Sequence, residues 1–242
     1  MPEFNVYFLV TLIAVALTGL VRGFSGFGSG LMLAPGLSLL YPPSVAVVMV
    51  VLLDAPAVVY LFPKTWRYAD WRTMRWIALG SALSVPFGAY FLATNDPDVT
   101  RRIIGFSALV FVLLMAAGFR LRNRGGMGSG LTVGALAGYL GGATGVPGPP
   151  AIIYFLAGPY SPQEARGNIT AFFTFIIIIL VCSFVWHGLV TLEIIVRCLF
   201  LMPIYLGATW IGNRLFGRVS ELMFRRIAYL LVTLLSLSAL LW

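Results

Sequence analysis

The sequence predicts an all-α, polytopic membrane bundle of eight long helices plus two short broken or re-entrant segments, built as two inverted-topology repeats. Three observations predict it. The 242 residues are 60% hydrophobic and only 10% charged, against roughly 45–50% and about 25% in soluble domains. The apolar residues fall into runs of bilayer-crossing length, and glycine-rich interruptions recur at a fixed spacing. Sixteen basic and eight acidic side chains cannot clothe a 26.3 kDa ball in water. A soluble globule is therefore excluded, and lipid solvates most of the chain.

A hydrocarbon core about 30 Å thick takes roughly 17–25 apolar residues per helix. Runs of that kind occupy 4–21, 44–63, 76–94, 103–119, 127–147, 168–186, 189–212 and 227–242. Two shorter runs, 31–40 and 149–157, follow glycine-rich breaks and are too short to span unaided. The opening MPEFNVYFLV has an acid and no basic region, so it does not read as a cleaved signal peptide. Cys182 and Cys198 sit inside apolar runs and read as small core residues, without disulfide or metal spacing. The formal charge of +8 comes from arginines at segment ends, a topological pattern that does not point to nucleic acid.

Residues 19–46, GLVRGFSGFGSGLMLAPGLSLLYPPSVA, align without gaps on 138–165, GYLGGATGVPGPPAIIYFLAGPYSPQEA, at an offset of 119. Gly19 falls on Gly138, Gly23 on Gly142, Gly26 on Gly145, Tyr41 on Tyr160, Pro43 on Pro162 and Ala46 on Ala165. Glycine and proline at matched places carry backbone meaning, so the chain divides into halves 1–124 and 125–242. Pro86 and Pro203 fall at comparable points in the later segments, where each helix is expected to kink.

Orientation follows from the basic loops. Lys64, Arg67, Arg72 and Arg75 mark one, Arg120, Arg122 and Arg124 a second, and Arg214, Arg218, Arg225 and Arg226 a third. If the short segments return the chain across the membrane, each half has five elements and the second copy is inverted. All three loops then face the cytoplasm together with Arg22 and Arg166, which makes 13 of the 16 basic residues internal. Asp96, Asp98 and both termini then lie outside. Short segments lying wholly on the surface would instead put 120–126 and 214–226 on opposite faces and break the charge rule.

The first motif, RGFSGFGSG at 22–30, holds Arg22, Gly23, Ser25, Gly26, Phe27, Gly28, Ser29 and Gly30. Such glycine density frees backbone groups at membrane depth, which is tolerated where they line a cavity or are buried in protein. A helix beginning near Ser29 would offer amide donors and partial positive charge to an anion. The second copy, GGATGVPGPP at 141–150, does the same through Gly142, Thr144, Gly145, Val146 and Gly148, and Pro149 and Pro150 suit the first turn of a new helix. Two facing half-helix N-termini make an anion clamp. The plainer reading is close helix packing of the small-xxx-small kind through Gly19, Gly23, Gly138 and Gly142.

This pair of motifs, each following the first helix of its half, resembles the TauE/SafE family of sulfite exporters and anion permeases, across essentially the whole chain. The resemblance implies transport of small sulfur-containing anions, such as sulfite, sulfoacetate or other organosulfonates, usually outward, in the bacterial inner membrane. The second motif departs from an all-glycine pattern at Val146, Pro147 and Pro149, so the two half-sites are not equivalent.

Ionisable residues within spans cost about 2.5–3.5 kcal/mol at a helix centre unless paired or wet. Asp54 lies midway through 44–63 and reads as a protonatable coupling site, a partner for Arg22 or Arg197, or an acceptor for a freed amide. Arg197 sits four residues after Glu193, which could neutralise it on the helix face; alternatively its guanidinium fork reaches an anion. Arg166 and Asn168, beside the second break, are candidates for the cytoplasmic mouth. His187 reads as a polar cap at an interface. Trp66, Trp71, Trp76, Trp186, Trp210 and Trp242 read as interfacial anchors.

The expected binding set is therefore the two glycine motifs with Arg166, Asn168 and Arg197, with Asp54 as coupling residue. The expected partners are a small anion, the lipid bilayer and protons. No paired carboxylates, activated nucleophile, metal cluster or GxxxxGK[ST] loop appears, so neither an enzyme nor an ATP-driven pump is expected, and no cofactor. The reading is alternating access at the midplane. The alternatives are a channel-like passive facilitator and a non-transporting membrane subunit.

Overall fold

The computed structural model describes residues 6–25, 28–116, 126–215 and 221–241, and among them every regular element is helical. The helices are α1 (Val6–Ser25), α2 (Ser29–Ser38), α3 (Pro43–Thr65), α4 (Trp71–Thr94), α5 (Pro97–Ala116), α6 (Met127–Thr144), α7 (Gly148–Ala157), α8 (Pro162–Trp186), α9 (Leu192–Leu215) and α10 (Glu221–Leu241). The two short ones, α2 and α7, are ten residues each, as the interrupted hydropathy predicts. Their spans coincide at the offset of 119 read from the sequence.

Several helices begin earlier than the apolar runs. α8 starts at Pro162 because Ser161 and Glu164 form a reciprocal cap, with Ser161 Oγ accepting from the Glu164 amide and Glu164 accepting from the Ser161 amide. α4 starts at Trp71 because the Asp70 carboxylate accepts from the Arg72 and Thr73 amides. Polar first turns thus belong to helices whose apolar bodies begin later. Trp71–Thr94, Pro162–Trp186, Leu192–Leu215 and the Pro43–Tyr60 part of α3 are long and apolar enough to cross a bilayer. Their outward faces carry large bare apolar side chains, among them Leu83, Phe87 and Tyr90 of α4 and Leu199 and Phe200 of α9. A surface of that kind is stable against lipid.

Packing joins elements distant in the chain. The set α1–α5 meets the set α6–α10 through two long seams, α1 on α9 and α6 on α4. Small residues make both seams. A Cβ on Gly19 would lie 2.8 Å from that of Ala208, and one on Gly23 would run into the Thr209 carbonyl. Gly134 and Gly142 press likewise on the backbone at Ile77 and Val85. The contacts advance together along both chains, Gly130 to Gly142 against Thr73 to Ala89, so each pair runs in the same direction. α3 and α8 run oppositely. Gly167, early in α8, meets Thr65 at the end of α3 and Tyr68 in the turn just beyond it, while the rings of Phe62 and Phe175 lie 6.5 Å apart.

At one end of the bundle, Asp70 N–H donates to Asn168 Oδ1 at 2.6 Å, and Tyr160 Oη donates to Asp70 at 3.4 Å. At the other, Arg101 donates to the Ser38 carbonyl and to Asp98. His187 caps α8, its Nδ1 lying 2.8 Å from the Ser183 carbonyl. Pro86 and Pro203 lie inside α4 and α9. The loop arginines Arg120, Arg122, Arg124 and Arg218 lie outside the described residues, as does Trp242.

Candidate functional site

The chain breaks its helices where glycine permits. α1 ends at Ser25, and Gly28, at φ 94°, stands before the first turn of α2. α6 ends at Thr144, and Gly145, at φ 71°, occupies the left-handed C-terminal position before α7 starts at Gly148. Residues other than glycine pay for that backbone region with a crowded Cβ. Neither short helix has a side chain capping its first turn; in α2 the amides that a cap would engage remain for another acceptor, whereas in α7 Pro149 and Pro150 have no N–H to offer.

The breaks meet. A Cβ on Gly30 would lie 2.8 Å from the Gly145 carbonyl oxygen, and one on Gly145 would lie 3.2 Å from Val47 of α3. Between them is a small, partly open cavity lined by 28–31 and 145–149 together with Val50, Val51 and Asp54 of α3, Ile152 of α7, and Phe173, Ile177 and Leu180 of α8. Both half-helices start at this cavity, and most of its walls are apolar.

Its charged corner is a four-residue cluster drawn from four helices. Asp54 Oδ1 accepts from Ser29 Oγ at 2.9 Å and from Tyr205 Oη at 2.6 Å, and Arg22 Nε lies 3.3 Å from the same oxygen. The Arg22 and Asp54 side chains are only 3% and 7% exposed, so this is an ion pair held out of solvent and tied by hydroxyl donors. The Arg22 guanidinium also stands 5.3 Å from the centroid of the Phe173 ring. Asp54 faces the cavity, whereas Arg22 is not part of its lining.

The sequence-predicted residues divide accordingly. Gly28, Ser29, Gly30, Gly145, Val146, Gly148 and Asp54 come together at the cavity. Gly23, Gly142 and Thr144 are turned into helix seams and backbone contacts: Gly23 meets α9, Gly142 meets α4, and Thr144 Oγ1 donates to the Leu140 carbonyl. Gly26 and Phe27 lie outside the described residues, as does the side chain of Ser25. Three other members of the expected set lie away from the cavity. Asn168 is fully buried near the N-terminal end of α8, where the Asp70 amide engages it. Arg166 is exposed on the same first turns, because the cap at Ser161 draws those residues into the helix. Arg197 is hydrogen-bonded to Glu193 and stacks 5.2 Å over Tyr41. None of the three lines the cavity.

Sequence reasoning missed Tyr205 and Phe173. A tyrosine two residues after Pro203 in an apolar span was the available signal, since a buried phenol needs a partner; Phe173 carried none.

The chain matches the family model for the sulfite exporter TauE/SafE over residues 11–239. The chain belongs to that family. It is also 27% identical over 214 residues to the "Probable sulfite/organosulfonate exporter TauE" of Cupriavidus necator, covering 85% of this chain and 82% of the relative. No solved structure matches. TauE/SafE proteins are membrane anion transporters rather than enzymes, and this chain is accordingly a multi-pass membrane transporter.

Proposed function

We propose that this TauE/SafE protein exports small sulfur-containing anions, such as sulfite, sulfoacetate or related organosulfonates, from the bacterial cytoplasm by alternating access. The observation that carries this reading is the pair of uncapped half-helices starting at one cavity beside a buried arginine. The freed amides of α2 and the N-terminal partial charges of both short helices suit an oxyanion at membrane depth, where water supplies no competing donors. The relative's name supplies the anion class.

The halves 1–124 and 125–242 are inverted copies in this reading. The opposed run of α3 and α8, taken with the same-direction pairing of α1 with α9, supports it, because the two together fit a chain that both short helices return across the membrane. Both termini then face the periplasm, and the arginine-rich loops face the cytoplasm. Movement of the crossed pairs α1–α9 and α4–α6 as units exposes the midplane site to each side in turn. Asp54 is the candidate proton carrier, being the acid that lines the cavity. The substrate set is the cavity rim, residues 28–30 and 145–148, with Arg22 behind it.

The test is flux of sulfite and sulfoacetate into proteoliposomes of the purified chain, alongside a thermal-shift screen, since ligand bound to the native state raises apparent stability. Saturable flux with a matching shift is expected. Non-saturating flux would make the protein a passive facilitator, and absence of both would overturn the reading.

A further inference from the structure

We infer that Asp54 holds Arg22 in reserve, and that the transported anion gains Arg22 as its counter-ion when a proton neutralises Asp54, so one anion charge and one proton cross together. This rests on the proposed transport reading and adds its charge balance.

The geometry sets the order of events. Asp54 lies at the cavity surface and Arg22 behind it, with one carboxylate oxygen, Oδ1, engaging Arg22, Ser29 and Tyr205 at once. An anion entering with Asp54 ionised would meet the carboxylate before the guanidinium, and two negative charges would share one cation in an apolar pocket. Protonating Asp54 removes that repulsion and releases the guanidinium fork, which pairs well with sulfonate or sulfite oxygens. Before binding, the site holds one carboxylate and one guanidinium. Afterwards it holds one carboxylic acid, one guanidinium and one monoanion. The net charge is zero in both states, the condition under which buried charges cost least.

Among the described residues, nothing else facing Asp54 compensates the anion. Ser29 on α2 and Tyr205 on α9 are neutral donors. The cavity-facing residues of α8 are Phe173, Ile177 and Leu180, and the second break contributes only glycine, valine and proline. The charged residues of α5, Asp98, Arg101 and Arg102, belong to its first two turns, and Arg101 bonds Ser38 at the far end of α2. The charge balance holds for a monoanionic sulfur oxyanion; a dianion such as sulfoacetate would carry one further negative charge that Arg22 does not offset. The proton taken up on one side leaves from Asp54 on the other, and no oxidant or group transfer is involved.

The experiment uses isethionate, a sulfonate that stays a monoanion at any working pH, so that no proton can travel on it. The full chain is reconstituted with an entrapped pH dye and the potential is clamped with potassium and valinomycin. The expected result is one proton per isethionate, at a rate the clamped potential does not change. In detergent, calorimetry in two buffers of different ionisation heat should record one proton taken up per isethionate bound, and Asp54→Asn should bind with no proton uptake. If that variant does not fold, the wild-type proton count decides alone. Isethionate flux that follows the potential without proton movement overturns the inference and leaves the transport reading standing. Sulfite flux with no isethionate binding or flux does the same, whereas loss of both fluxes overturns the two together.

Discussion

At the scale of single residues, the Arg22–Asp54 pair should dominate the response to substitution, because removing either partner takes an opposite charge from a group held out of solvent. Asp54→Ala is expected to destabilise the protein by about 3–5 kcal/mol, and the double variant Arg22→Met, Asp54→Leu to recover most of that loss. Thermal unfolding of the three proteins in one detergent checks both statements; a double variant no more stable than Asp54→Ala would contradict them. Asp70→Ala, which removes the cap of α4, should cost about 1 kcal/mol. The need of Asp54 for a cation was legible in its place amid an apolar run. Which arginine supplied it was not, since Arg22 and Arg197 are separated from Asp54 along the chain and only packing brings one of them near. The Glu193–Arg197 spacing was legible because a helix makes that contact locally.

At the scale of helices, the glycine seams carry the architecture. Gly134→Ala puts a methyl group into the Ile77 carbonyl, whereas Gly207 on α9 has open space where its Cβ would stand. The first is expected to destabilise by about 1–3 kcal/mol and the second to stay within about 0.5 kcal/mol, as read from melting of the two variants. Equal effects would mean that the seams are not tightly packed. Gly145→Ala should be costly at its left-handed φ of 71°, by about 1–2 kcal/mol. Glycine spacing disclosed that helices touch here, but not that α1 meets α9 and α6 meets α4, because both seams join distant segments. The early starts of α4 and α8 were readable in Asp70 and in Ser161 with Glu164; a search for apolar runs passes over such polar turns.

At the scale of the whole molecule, the hydropathy runs, the matched glycines and the offset between them were enough to predict ten helices with two short members, because lipid leaves a backbone few alternatives to helix. The cavity was less legible. Its floor is built by α3 and α8, whose Val50, Val51, Ile177 and Leu180 look like any other apolar core, and the polar corner depends on Tyr205 reaching across from α9. The two long seams tie the set α1–α5 to the set α6–α10, so movement between access states has to preserve the α1–α9 and α4–α6 seams while shifting them as units. Filling the space between the two breaks is the most direct challenge to this picture. Ile177→Phe enlarges a cavity-facing side chain that makes no polar contact in the cluster, and saturable sulfite flux through proteoliposomes is measured for it and for the parent protein at matched folding, judged by melting temperature. The account predicts robust flux in the parent and at least a tenfold loss in the variant; undiminished flux through the filled protein would contradict it.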